Sequence, residues 1–232
     1  MSVLSALQSA SIRLVGEKPA VFFGSSGQTE IELCDLLNEV ARDIVDFADW
    51  QGLTKIATIS GDGETADFDL PDDYARQLLR SDMMDVNSWL WGYCRITDIN
   101  DFTYQKERGF TGFPGGWIIY QDQIHFAPAP ADGSTATYPY ISRNYAVDSG
   151  TLGAKAAFDS DTDTFKLEER LLTLGLVWRW REQKKLNYTG DQEAFTLALS
   201  DAAAKDKGSR IYRSGRRLPM RGTHLAWPWE LG

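Results

Sequence analysis

The chain is poor in the residues on which most metal, redox and nucleophilic chemistry is built. It has two cysteines, Cys34 and Cys94, and two histidines, His125 and His224, in 232 residues. The cysteines match no metal or redox spacing and imply no disulfide framework, so each reads as a small buried apolar residue. There is no HExxH pair for zinc and no GxSxG elbow for a serine nucleophile. No metal and no cofactor is expected. A basic leader followed by an apolar run is missing, so no signal peptide is expected. No apolar run approaches the ~18 residues of a membrane span, so no membrane partner is expected.

Aromatic residues, by contrast, are plentiful at 12%, with eight tryptophans. Such surplus surface serves either an interface or a Trp-rich core. Charge is unevenly placed. Residues 205–232 hold seven cations and two acids, net +5, so the other 204 residues carry −14 against a whole-chain charge of −9. An acidic body with a basic tail points to an arm for an acidic partner surface. The acidic body argues against wrapping DNA, which takes many phosphate-neutralising cations.

Apolar spacing predicts a helix over 3–15, stopped by Gly16. Thr29 and Glu32 have the spacing of a capping box, followed by an apolar stripe from Leu33 to Trp50 and a stop at Gly52. The period then falls to two. Asp62–Gly63 marks a hairpin between two strands closed by Pro71. "DDYARQLLRSDMM" reads as a short helix. "SWLWGYCRIT", "GWIIYQDQIHFAP" and "STATYPYISRNY" read as strands, and "DINDFTYQKERG" as a short helix or a lid-like loop. His125, alternating with Ile124 and Phe126, falls on the outer strand face.

Helical period returns over 168–186, "EERLLTLGLVWRWREQKK". A strand would place Trp178 and Trp180 on one face; a helix separates them by about 200°. The run of good helix formers on both sides decides for the helix. Leu171, Leu174 and Trp178 then suit one partner, and Leu172, Leu176 and Trp180 another, with Arg179 and Arg181 between them. A helix apolar nearly all round needs cover on several sides, from its own chain or from a neighbouring subunit. Asp191 is placed to cap a last helix ending at Gly208. Residues 209–232, rich in Arg, Gly and Pro, read as an extended tail. The fold class is α+β. Residues 1–52 and 150–208 form a helical body, 53–149 an inserted antiparallel β-domain, and 209–232 a docking tail.

The stretch "AFDSDTDTFKLEERLLTLGLVWRWREQKKLNYTGDQEAFTLALSDAAAKDKGSR" resembles the C-terminal part of the head–tail adaptor (connector) proteins of tailed bacteriophages. "ISGDGETADFDLPDDYARQL" and "GGWIIYQDQIHFAPAP" are similar to the same family's hairpin and β-domain. Glu168 departs from the family pattern, which has a helix-starting proline there. The resemblance implies a structural virion protein of the neck, folded in the host cytoplasm. It implies a homo-oligomeric ring, usually a dodecamer, that joins the portal protein to a downstream tail or nozzle protein and passes double-stranded DNA. On that reading Trp178, Arg179, Trp180 and Arg181 serve ring or body packing. Arg210, Tyr212, Arg213, Arg216, Arg217, Arg221, Trp227 and Trp229 form the portal or subunit interface, arginine and tryptophan being usual interface anchors.

Rival readings stay open on particular residues. Asp159, Asp161 and Asp163 alternate like a calcium loop, but Thr164 stands where glycine is needed and Arg170 where the chelating glutamate belongs. A turn whose acids favour the following helix N-terminus is the alternative. Two of Asp62, Glu64, Asp69, Asp72 and Asp73 would serve a carboxylate-pair glycan hydrolase, given a cleft and one raised pKa. "GFTGFPGG" lacks the context of a phosphate loop. A monomeric interaction module is the third class.

Overall fold

The computed structural model describes residues 2–78, 83–86, 89–107 and 115–206. Two helices come first, α1 (Val3–Val15) and α2 (Gln28–Phe47). A single 3-10 turn leads into β1 (Thr54–Ser60), β2 (Asp67–Asp69), β3 (Tyr74–Gln77), β4 (Met83–Val86) and β5 (Trp89–Arg95). Then come α3 (Ile99–Glu107), β6 (Gly115–Tyr120), β7 (Gln123–Ala127) and β8 (Thr135–Ser142). Three short strands, β9 (Ala146–Val147), β10 (Ala154–Lys155) and β11 (Thr164–Phe165), precede α4 (Glu169–Gln183) and α5 (Thr189–Asp206). The fold is α+β.

The first helix stops as its sequence requires: Gly16 takes φ 80° and its amide closes on the Ile12 carbonyl. The stripe of α2 is buried from Leu33 through Val45. Its start departs from expectation. Gly27 is the N-cap and no side chain caps the helix. Glu32 is drawn away instead, accepting from Trp180 Nε1 at 2.9 Å and Lys184 Nζ at 2.6 Å. A charge-assisted tertiary bond has displaced a local one.

The main sheet runs β1-β8-β4-β5-β6-β7-β2, with β3 also on β8. Consecutive strands β1 and β2 thus lie at opposite ends, so the expected hairpin at Asp62–Gly63 is not formed; β1 pairs with β8 and β2 with β7. Six steps across a flat sheet would separate them by ~29 Å. The chain from Ser60 to Asp67 spans at most ~25 Å. The sheet is therefore rolled. Its hollow is filled by Ile59, Tyr93, Trp117, Ile124, Phe126, Ala136, Tyr138 and Tyr140. Tyr93 meets Phe126 edge-on at 5.2 Å. The turn signal itself was sound, because the Asp62 carboxylate accepts from the backbone of Glu64 and Thr65. What the local signal did not carry was the pairing.

Within the segment expected to be a helix at 72–84, Tyr74–Gln77 forms β3 and Met83 and Met84 open β4, while residues 79–82 lie outside the described residues. Tyr74 pairs with Ser142 and Gln77 with Tyr140, and such non-local ladders override local propensity. The parallel pair β5–β6 is joined by α3, as a parallel crossover requires.

A second buried cluster lies among the helices. It joins Leu7, Leu33, Leu37, Val40, Ile44, Leu171, Leu172, Leu176 and Phe195, and is extended by Ile141 at the end of β8, Tyr145 and Phe158 from the loops that follow, and Phe165 of β11. Among the described residues no helix is long and apolar enough to cross a membrane.

Candidate functional site

The centre of the helical cluster is α4. It packs against α1, α2 and α5 of its own chain. Leu171, Leu172, Leu176, Val177 and Trp178 are buried. Gly175 lets α2 and α5 approach: a Cβ there would lie 2.3 Å from Val40 Cγ1 and 3.2 Å from Phe195 Cε2. Of the two sources of cover left open by the sequence, the chain itself supplies most. The apolar character of α4 therefore does not by itself call for a second subunit.

The two tryptophans do point apart. Trp178 faces Phe195 of α5, with ring centroids 6.0 Å apart, while Trp180 is bonded to Glu32 of α2. Arg179 pairs with Asp43 at 2.8 Å and stacks over the Trp178 ring at 4.5 Å. Arg181 pairs with Asp191. Asp191 therefore ties α5 to α4 rather than capping α5, which begins at Thr189. The bond from Lys184, then that from Gln28, holds the Glu32 carboxyl below its ordinary range against the opposing effect of burial. All four residues of this group thus sit at helix–helix contacts within one chain. The tail residues Arg210, Tyr212, Arg213, Arg216, Arg217, Arg221, Trp227 and Trp229 lie outside the described residues.

The aspartate-rich loop before α4 is a clasp. The Asp161 carboxylate accepts from the amides of Phe22 and Phe23 at 3.1–3.3 Å. The Asp161 and Asp163 carbonyls accept from Leu4 and Val3 at the start of α1. Asp163, fully buried, accepts from the amides of Asp159 and Ser160 and from Lys155 Nζ at 2.8 Å. Lys155 also pairs with Asp159. The expectation that these acids serve the N-terminus of α4 is thus corrected. They bind their own loop and the N-terminal segment, and the cation among them is a lysine.

Three of the candidate carboxylates, Asp62, Asp69 and Asp73, are also engaged. Asp73 binds Lys55 Nζ at 2.6 Å, Ser142 Oγ at 2.6 Å and Tyr140 Oη at 2.8 Å. Burial alone would raise its pKa; these bonds outweigh it and bring it to about 2. Asp62, held by Thr65 and Glu64, also falls to about 2. Asp69 accepts from Gln123. A general acid needs the reverse, a carboxyl held protonated. Asp73 and Asp62 are instead stabilised as anions.

His125 lies on the outer sheet face but is buried, because α3 covers it. Its ring stacks on Tyr120 at 3.7 Å, Phe102 of α3 lies 6.3 Å away, and Nδ1 is 2.6 Å from Asp67. Cys34 and Cys94 are half-buried rather than fully buried. Burial pushes the Cys34 thiol up to about 11. Of "GFTGFPGG", residues 109–114 lie outside the described residues; Gly115 begins β6, where a Cβ would strike the Tyr93 ring at 2.7 Å.

What these elements share is that polar side chains hold one segment of the chain to another. That is the economy of a scaffold, and comparison with known families agrees. The family model of the SU10 adaptor protein matches residues 1–222. The chain belongs to the SU10 adaptor family. It is a phage head–tail adaptor protein, a structural component of the virion. The match spans the helices, the rolled sheet and part of the basic tail of this adaptor. No curated protein matches the chain.

Proposed function

We propose that this adaptor acts as one subunit of a homo-oligomeric ring, a dodecamer, in the virion neck. The ring joins the portal vertex to the phage tail and lets double-stranded DNA pass through its centre. Its division of labour is a helical body (1–52 and 150–208), an inserted β-domain (53–149) that meets the downstream tail or nozzle protein, and a tail (209–232) that docks on the portal. The subunit folds in the host cytoplasm before it joins the particle.

The observation that carries this reading is family membership across nearly the whole chain. Two features of the geometry support it. A closed ring needs two unlike surfaces, each meeting the other's counterpart. Exposed apolar side chains stand on separate elements, with Ile56 of β1 at 73% exposure and Leu197 of α5 at 65%. The net acidic body also suits a conduit that should not hold DNA.

Light scattering of the protein alone and with purified portal tests the ring. Assembly on the portal into a complex of ring mass is expected. A chain that stays monomeric and ignores portal overturns the reading. Deleting 209–232 is expected to abolish portal attachment; intact attachment removes the docking role of the tail.

A further inference from the structure

Where α2 ends, beside the last turn of α5, the surface has an open groove of about 510 Å³ lined by Asp46, Phe47, Ala48, Asp49, Arg76 and Ala203. Phe47 is 49% exposed although it is a large apolar side chain. The groove already reads one guanidinium. Arg76 donates Nη2 to the Ala48 carbonyl at 2.8 Å and Nε to Asp49 at 3.2 Å. Its Nη1 stands 3.7 Å from Asp46, whose side chain is 77% exposed. Two carboxylates against one cation leave the groove net negative, with an apolar ring beside the less occupied acid.

The chain after α5 starts close to this groove. Ala203 lines it, and the Asp206 carboxylate accepts the Gln51 amide at 2.8 Å. Beyond Asp206 come 26 residues with six cations and one acid. The first basic and aromatic cluster, "RIYR" at 210–213, begins four residues past Asp206, a reach of ~14 Å for Arg210 and ~25 Å for Arg213. A segment tethered so closely meets the groove at an effective concentration of order mM. That proximity favours its own chain over a second copy.

We propose that the groove holds the root of the same chain's tail, with an arginine of 210–213 on Asp46 and Tyr212 against Phe47. The rest of the tail then leaves the body from this corner, and Trp229 reaches at most ~58 Å beyond Arg213. Only the use of that reach, toward the portal, rests on the ring reading.

Limited tryptic digestion of the full chain without portal, read by mass spectrometry, tests the docking independently of the ring. Cleavage after Arg210 and Arg213 is expected to be about tenfold slower than after Arg217 and Arg221, since proteolysis tracks the open population. Asp46→Lys or Phe47→Ser, each at an exposed position, is expected to remove the difference while leaving the circular dichroism spectrum and urea midpoint unchanged. Equal rates at all four arginines in the wild type overturn the proposal. So does protection that survives both substitutions. Protection that grows with protein concentration places a second copy's tail in the groove and overturns the same-chain assignment.

Discussion

Gly175 is a point of close helix approach in the helical cluster, and replacing it with alanine isolates what packing demands there. Helix propensity alone favours the change by about 1 kcal/mol, because mid-helix glycine costs backbone entropy. Packing opposes it. The new methyl would sit 2.3 Å from Val40 Cγ1 and 3.2 Å from Phe195 Cε2. Val40 is 1% exposed and β-branched, so it cannot swing aside. Overpacking of this kind costs about 1–3 kcal/mol, enough to overcome the propensity gain. Gly175→Ala is therefore expected to lower stability by up to about 2 kcal/mol. Val40→Ala alone is expected to cost about 2 kcal/mol, for two methyls and the space they leave. In the double variant the new methyl fills part of that space. The two costs should then fail to add by at least ~1 kcal/mol, in the direction of rescue. Urea unfolding at constant m reads all three differences. Additive costs, or a Gly175→Ala protein more stable than wild type, would refute the claim that the α2–α4 approach requires glycine.

The remaining expectations concern two half-buried carboxylates, Asp73 and Asp161. The folded pKa of Asp73 is lowered to about 2. It therefore contributes stability that is present above the ordinary carboxylate pKa and is lost as pH falls from about 4 towards 2, roughly 2 kcal/mol in all. The gap in urea midpoint between wild type and Asp73→Asn should narrow through that window, and a gap independent of pH would contradict the network. Asp161→Asn keeps the shape of the clasp but removes the charge that accepts from Phe22 and Phe23. A loss of about 1–2 kcal/mol is expected, with faster hydrogen exchange at those two amides; unchanged exchange there would show that the clasp does not hold the N-terminal segment.

Where the sequence could be read correctly, the decisive interactions were local or periodic. The stripe Leu33 to Val45 and the stop at Gly16 need only helix geometry and a left-handed glycine. Reading failed where a distant partner decides. Glu32 has capping-box spacing, yet Lys184 and Trp180 take its carboxylate. Tyr74 to Gln77 lies in a run of fair helix formers, yet β8 draws it into a ladder. Asp62 makes the turn its sequence announces, but the strands on either side find β8 and β7 instead of each other. The aspartates of 159–163 advertised a charged loop without showing that Lys155 would neutralise it. His125 was rightly placed on the outer face; its burial depends on α3, whose docking no short window records.

The cover of α4 by its own chain changes how assembly must be argued. If a sister subunit were needed to shield that helix, the adaptor could fold only as it assembled. With α1, α2 and α5 in place, the cover of α4 comes from within one chain. The driving force for the proposed ring must then come from surface side chains such as Ile56 and Leu197. Burying one such residue contributes about 1.5–3 kcal/mol. Holding two free bodies together costs about 4–15 kcal/mol in lost translation and rotation. One or two apolar anchors per interface, about 1.5–6 kcal/mol together, reach only the low end of that cost between free subunits. They suffice once a template has already fixed each subunit in place, because the ordering cost has been met by the first contact. Subunits that remain separate in solution and close into a ring on the portal are therefore the expected behaviour of this surface.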